Sequence, residues 1–365
     1  MPKFVFDELG KKNTRIEHIY KIIENMNNDN FFMSKKYYIK LLKKEICYLY
    51  SYNLEYVKCL FLLFPIREIA QFFNFSQKER PLSIRINSLK IEPASLKENL
   101  STKGIKILLL RGQLCNIGMI SGHNNKIGNC SEYLGGYFTF QGISSVFPVI
   151  SISPEKNDKI LDLTAAPGGK ATYLAEIMKN SGLIVANDKS LSRIKSLVTN
   201  IHRMGIKNSI ITSLDGSILP FVIKGFDRVL LDAPCSGSGV LYNNEMFRTF
   251  KFKKSLVLNS ELQKRLLLAA IDSCDENSSK GGIIVYCTCS IFVEENEAVI
   301  QYALENRNIK IIPTDLNYGL PGYKKYKMYK FNEKMNLCRR FFSHVHNSDG
   351  FFVCKLKKLK KKFIT

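Results

Sequence analysis

The chain has 365 residues, 45% of them hydrophobic, and 54 lysines and arginines stand against 32 acids, a net charge of +22. That length supports a large core and two or three domains, and that charge suits a polyanionic partner, because neutralising phosphates releases counterions. A membrane span is excluded, since the longest apolar run, Cys59 to Pro65, is far too short to cross a bilayer. The ten cysteines are scattered without a Cys-x-x-Cys pair or metal-ligand spacing, and Met1 to Asp7 lacks the apolar core of a signal peptide. Free thiols in a reducing, intracellular compartment are expected, with no membrane partner and no metal.

Residues 14 to about 75 read as helical. Ile16, Ile19, Tyr20 and Ile23, and later Tyr38, Leu41, Leu42 and Ile46, keep the three-to-four spacing of amphipathic helices. Lys35, Lys36, Lys40, Lys43 and Lys44 read as a solvated face. Pro81 to Asn87 alternates as a strand does; a helix (Pro93 to Thr102), a strand (Ile105 to Leu110) and a polar, Gly-rich stretch (Asn124 to Gly136) follow. Together these form a small α+β module.

A helix over Ser144 to Ile152 leads into a regular series. Its predicted strands are Lys159–Leu163, Leu183–Ala186, Ser209–Ser213, Arg228–Leu231, Gly282–Tyr286, Lys310–Ile312 and Gly350–Leu356. Its predicted helices are Gly169–Met178, Leu191–Met204, about Asn259–Cys274, and Glu294–Glu305. Continuous Val/Ile/Leu runs alternating with amphipathic helices predict an α/β fold, with a mostly parallel sheet covered on both faces. The expected boundaries are 1–78 (helical region), 79–145 (small module), 146–358 (α/β domain) and 359–365 (basic tail). The basic stretch Lys355 to Lys362 is expected to fray.

Two cysteines sit where buried strands run out: Cys235 in Leu231-Asp232-Ala233-Pro234-Cys235-Ser236-Gly237, and Cys289 in Tyr286-Cys287-Thr288-Cys289-Ser290. In open α/β sheets the active site lies beyond the carboxyl ends of the strands. A thiol pair there points to covalent chemistry in two acts. Cys287 reads as core or pocket wall. Upstream, Thr164-Ala165-Ala166-Pro167-Gly168-Gly169-Lys170 joins a strand to its helix. Its glycines allow close backbone approach, and the helix N-terminus offers N–H groups to a carboxylate. It is not a P-loop, since Thr164 and Ala171 stand where that motif needs Gly and Ser or Thr. Asp188, Asp215 and Asp232 end successive strands. Asp188, about 20 residues past the turn, can accept from ribose hydroxyls, and Asp215 can read an adenine amine. The ligand implied is a nucleoside bearing an amino-acid group, S-adenosylmethionine.

The series Asp162-x-x-x-Ala166-Pro167-Gly168-Gly169-Lys170, Leu231-Asp232-Ala233-Pro234-Cys235-Ser236-Gly237-Ser238-Gly239, and Tyr286-Cys287-Thr288-Cys289-Ser290 followed by Glu294-Glu295-Asn296-Glu297 resembles the RsmB/Sun-type RNA (cytosine-5) methyltransferases. The likeness runs from about Leu60 to Lys358 and includes Arg85-x-Asn87-x-Leu89-Lys90 and Gln141-Gly142-x-Ser144-Ser145. Segments such as Asn200 to Gly205 and His344-x-His346-Asn347-x-Asp349-Gly350-Phe351-Phe352 are most similar to the eukaryotic nucleolar branch, the proliferating-cell nucleolar antigen type. One departure is visible: Thr164-Ala165 stands where the family usually has Cys-Ala or Cys-Cys.

The resemblance implies a Rossmann-like class I methyltransferase domain with a seven-stranded, mostly parallel sheet, preceded by a small RNA-binding module. It implies Cys289 as nucleophile and Cys235 as the group that releases product. Thr164 to Lys170 with Asp188, Asp215 and Asp232 would line the donor and base sites. The chemistry asks for these groups independently. Thiolate addition at cytosine carbon 6 makes carbon 5 nucleophilic, a positioned acid (Asp232) assists at ring nitrogen 3, and a second thiolate removes the carbon 5 proton. Arg85 and Lys90 are candidate phosphate contacts, whereas Tyr137, Phe138 and Phe140 read as packed core. His344-x-His346 reads as surface or hydrogen-bonding residues rather than metal ligands. The implied partner is RNA, foremost large-subunit rRNA in a pre-ribosomal particle, met by a monomer in the nucleolus or nucleus. The alternatives are a cytoplasmic tRNA cytosine-5 methyltransferase and an RNA-binding assembly scaffold. A DNA enzyme would not need the downstream thiol.

Overall fold

The computed structural model describes residues 15–26, 33–76, 78, 80–121, 127–240, 252–279 and 281–360. Met1 to Asp7 and the end of the basic tail lie outside the described residues. A helix over 15–25 opens this part, followed by Lys35–Tyr50, Leu54–Leu63 and Ile66–Ser76. Ser34 and Asn53 cap two of them by accepting from backbone N–H groups of Tyr37 and Glu55. Lys35, Lys36, Lys40 and Lys44 are exposed, as a solvated face requires. The apolar faces do not form a separate core. Tyr56 meets Phe252 and Phe292 edge-on at 5.2 and 5.9 Å, which joins the helices to the α/β domain.

The small module is an antiparallel sheet of β1 (Ser83–Ile86), β2 (Lys106–Leu109), β3 (Ile117–Ser121) and β4 (Phe138–Phe140), in the order β2-β3-β1-β4. Phe138 is fully buried and Phe140 half-buried, so both are packed aromatics. The two candidate phosphate contacts are corrected by the structure. Arg85 is fully buried; it donates to Thr172 Oγ1 at 2.8 Å, stacks on Tyr173 and lies 3.7 Å from Glu176. Lys90 gives its ammonium to the carbonyls of Gly135 and Arg203, both at 2.8 Å, at the C-terminal end of helix Leu191–Met204 where a cation is favoured. Asn87 donates to Gly136 O and Met204 O, each at 2.9 Å. Arg203 returns bonds to Tyr133 O and Phe138 O. These residues weld the module to the domain behind it.

The large sheet contains β5 (Lys159–Asp162), β6 (Leu183–Asn187), β7 (Ser209–Thr212), β8 (Arg228–Asp232), β9 (Ile283–Thr288), β10 (Ile309–Ile312), β11 (Leu320–Pro321), β14 (Arg339–Phe341) and β15 (Phe351–Lys358), while β12 (Lys325–Tyr326) and β13 (Tyr329–Lys330) form a separate hairpin. Its order is β7-β6-β5-β8-β9-β15; β10 and β14 both pair with the far edge of β15, and β11 pairs with β14. β5 to β9 are parallel and β15 runs against β9. The seven expected strands are present, and β11 and β14 extend them to nine. Ile160, Leu161, Val185, Leu230, Ile284 and Val285 are buried to within 1%, as a sheet covered on both faces demands.

The expectation of fraying fails for Lys355 to Lys358. They belong to β15, Lys355 binds Asp315 at 2.6 Å, and Lys358 binds Cys274 O at 2.8 Å. Their stems lie along the sheet while their ammonium groups reach partners. His344 is also not a surface residue; it packs edge-on against Phe64 and Phe72. Among the described residues no group of histidine, cysteine and acidic side chains could hold a metal, and no helix is long and apolar enough to cross a membrane.

Candidate active site

β8 and β9 are neighbours in register, Asp232 opposite Cys287, and the chain leaves both at the same edge. The loops that follow are zipped together. Ala233 N–H donates to Cys287 O at 2.9 Å, Gly239 N–H to Cys289 O at 2.8 Å, and Ser238 and Ser290 share a hydroxyl contact at 2.9 Å. Gly350 N–H closes the layer onto Gly239 O at 2.9 Å. A Cβ on Gly239 would sit 2.0 Å from Gly350 O, so only glycine fits there.

This packing places Cys235 Sγ 3.1 Å from Cys289 Sγ. Both thiols are half-buried. The hydrogen bond to Cys289 and then burial push the Cys235 thiol well above its usual range, with Cys289 and Glu295 as nearby charges that add to the rise. Cys287 is fully buried and hydrogen-bonds through sulfur to Asp232 Oδ1 at 3.4 Å; burial and then Asp232 hold it as a neutral thiol, as its reading as core requires.

Beside the thiols lies a cavity of about 230 Å³ lined by Phe140, Gln141, Gly142, Ser145, Asp162, residues 164–167, Gly169, Lys170 and Asp232. Gly168 adopts φ +105° at the head of helix Gly169–Ile177, a conformation open to glycine, and no side chain caps that helix. Lys170 Nζ binds Asp232 Oδ2 at 2.6 Å. Burial alone would weaken the lysine as a base, but the Asp232 carboxylate outweighs it and keeps Lys170 an ammonium. Thr164 Oγ1 donates to Asp232 O at 2.9 Å, so the residue at the family's Cys position ties the turn to β8.

The remaining predicted acids lie outside this cavity. Asp188 is buried, and its carboxylate accepts from the N–H groups of Ala166 (3.2 Å) and Ser190 (2.9 Å); it holds the Gly-rich turn from beneath. Asp215 is at the next strand end, bound to Lys189 at 2.7 Å and to Ser217, and these bonds hold it well below the usual carboxylate range. Asp162 was missing from the expected site. It lines the cavity, is 1% exposed, and neither carboxylate oxygen has a hydrogen-bond partner. Burial, then Asp232, raise it to about 7. It occupies the strand-end position that singled out Asp188 and Asp215, so the same rule applied one strand earlier finds it. Asp162 is thus an acid held protonated until near neutral pH beside the Asp232–Lys170 pair, and a ligand with a cationic group would favour its ionised form.

A model of the family described as 16S rRNA methyltransferase RsmB/F matches residues 149–357. The chain is 41% identical over 353 residues to the 28S rRNA (cytosine(4447)-C(5))-methyltransferase of Homo sapiens, covering 96% of this chain and 43% of that protein. It is 41% identical over 362 residues to the 25S rRNA (cytosine-C(5))-methyltransferase nop2 of Schizosaccharomyces pombe, covering 98% of this chain and 59% of that one. The chain thus spans about half the length of these curated relatives. A solved methyltransferase homolog from Pyrococcus horikoshii matches with a TM-score of 0.76 at 31% identity, covering 87% of this chain and 99% of that one. Two thiols in contact at adjacent strand ends, beside a Gly-rich cleft, fit these likenesses, and the chain belongs to the RsmB/F methyltransferase family.

Proposed function

We propose that this chain is an S-adenosylmethionine-dependent RNA (cytosine-5) methyltransferase acting on large-subunit rRNA. The observation that carries the reading is the 3.1 Å contact of Cys235 and Cys289 just beyond the ends of β8 and β9, where Asp232 forms part of the cavity wall. The names of the two eukaryotic relatives support the rRNA assignment; a monomer working on pre-ribosomal particles in the nucleolus or nucleus is part of the same proposal.

The Gly-rich turn, Lys170 and the unpaired carboxylate of Asp162 fit a donor that joins a carboxylate, an ammonium and a sulfonium. When bound, the donor supplies a methyl group on positively charged sulfur. Asp188 acts by fixing the turn, and Asp215 is the half-buried acid assigned to the adenine edge. Cys289, as thiolate, adds to carbon 6 of the cytosine. Asp232, paired with Lys170, is the acid placed to hold a proton at ring nitrogen 3. Once Cys289 sulfur is bonded to carbon it no longer carries charge, and the penalty on ionising Cys235 falls. Cys235, its thiol proton given up to solvent, then takes the proton from carbon 5, the carbon 5–carbon 6 double bond re-forms, Cys289 leaves as thiolate, and the proton on ring nitrogen 3 is released through Asp232.

Substituting each thiol tests the order. Cys235→Ala should retain RNA as a covalent adduct on a denaturing gel, and Cys289→Ala should retain none. The reverse pattern would overturn the assignment. Sequencing the retained RNA separates large-subunit rRNA from tRNA, and growth on Cys289→Ala as sole copy would favour the scaffold role.

A further inference from the structure

Cys235 is gripped on both sides by one buried network. Glu295 is fully buried, and its carboxylate accepts three bonds: Ser236 N–H at 2.8 Å, Ser236 Oγ–H at 2.6 Å and Gln263 Nε2–H at 3.1 Å. Gln263 also donates to Pro234 O at 2.8 Å, so the residue before Cys235 is fixed as firmly as the residue after it. The acid is itself anchored, because Tyr286 in β9 donates to Glu295 O at 2.6 Å and Ser260 donates to Glu294 O at 2.8 Å. Burying a carboxylate is unfavourable unless its lone pairs are used, and here converging donors use them. An amide of the same shape would turn its NH2 toward donors and lose part of the grip. Cys289 is held by other bonds: Gly239 N–H to its carbonyl, and, around Ser290, Asn296 Nδ2–H to Ser290 O at 2.9 Å. Ser290, beside Cys289, adds one side-chain contact to Glu295, but the three bonds from Ser236 and Gln263 converge on the segment that carries Cys235, so the network bears mainly on that thiol.

We propose that Glu295 is the positioning residue of the product-releasing step, holding Cys235 where it can take the carbon 5 proton, with Gln263 as its second arm. The inference rests on the two-thiol reading given above. In the step concerned the proton on carbon 5 passes to the Cys235 thiolate, its bonding pair re-forms the carbon 5–carbon 6 double bond, and the carbon 6–sulfur pair returns to Cys289. A displaced Cys235 leaves addition and methyl transfer intact and strands the enzyme on its product.

The test compares Glu295→Gln, Ser236→Ala and Cys235→Ala in the full chain, with S-adenosylmethionine and an unmodified transcript of large-subunit rRNA. Adduct is read on denaturing gels, and the first turnover by rapid quench. Glu295→Gln should raise steady-state adduct at least 10-fold over wild type and lower steady-state turnover by a similar factor, with the first methyl transfer changed less than 3-fold. Ser236→Ala, which removes one bond and keeps the fold's backbone contact, should raise adduct 2- to 5-fold. If Cys235→Ala traps adduct and both other variants turn over freely, the positioning role is wrong while the two-thiol reading stands. Loss of the first turnover together with adduct in Ser236→Ala would assign the network to Cys289 or to general folding, against the proposal. If Cys235→Ala traps nothing, the two-thiol reading falls and takes this inference with it.

Discussion

The seam between the small module and the α/β domain, and the floor of the cavity, use charged side chains in opposite ways. At the seam, Asn87, Lys90 and Arg203 give their donors to carbonyls of Gly135, Gly136, Tyr133, Phe138, Arg203 and Met204. At the floor, Asp162 and Asp232 share one lysine and Asp162 has no hydrogen bond. Saturated polar groups make structure, because each is more stable as it is than it would be with an added ligand. Unpaired buried groups are held ready, because a ligand that pairs them recovers the free energy their burial withheld. Positive charge in a basic chain is therefore poor evidence of nucleic-acid contact until its partners are known.

The comparison can be broken at three points. The largest effect is expected at Asp162. Its folded pKa lies near 7, above the ordinary 3.8, so the native state keeps a proton that the unfolded chain has released between those values. The stability it contributes is whole below about pH 4 and is lost as pH rises toward 7, about 4 kcal/mol in all at this level of burial. Asp162→Asn should flatten that part of the stability profile in urea melts, match the parent in acid and exceed it above pH 7, while binding S-adenosylmethionine roughly 10-fold more weakly by calorimetry (the loss of about one charge-assisted bond). A profile parallel to the parent's would mean that the carboxylate is paired in solution.

A smaller loss is expected at the seam. Asn87→Ala strands Gly136 O and Met204 O and should lower stability by about 2 kcal/mol in the same melts. Methyl transfer per folded molecule should change little, and a large loss of turnover at unchanged stability would move the seam into the catalytic machinery. Least affected is Lys90→Ala, expected at under about 1 kcal/mol, with the salt dependence of RNA binding unchanged. A lysine on a phosphate would instead reduce the slope by about 0.9.

Much of the α/β domain is legible in the sequence, because β5 to β9 are continuous apolar runs whose ends carry the Gly turn, the acids and both thiols. β3 and β4 escape it: β3 holds a glycine and β4 is three residues long, so neither shows a pattern. The seam is illegible for another reason. Asn87 bonds to Met204 across 117 positions, and nothing local distinguishes such a residue from a phosphate ligand. Lys355 to Lys358 look like a solvated tail because their charge hides stems that lie on the sheet. Glu295 stands inside a run of acids, where only the fold reveals that it and Glu297 turn inward, Glu297 to Arg340 and Glu295 to the Cys235 loop.

β15 also has a consequence for the timing of biosynthesis. It inserts between β9 and β10, and the residue just before it, Gly350, seals the thiol loops through Gly239. A ribosome making this chain releases both cysteines well before it releases the strand that closes over them. The nascent chain carries its thiols around an incomplete sheet edge until residues 351–358 emerge, and the thiol pair takes its final setting only after that strand has been made.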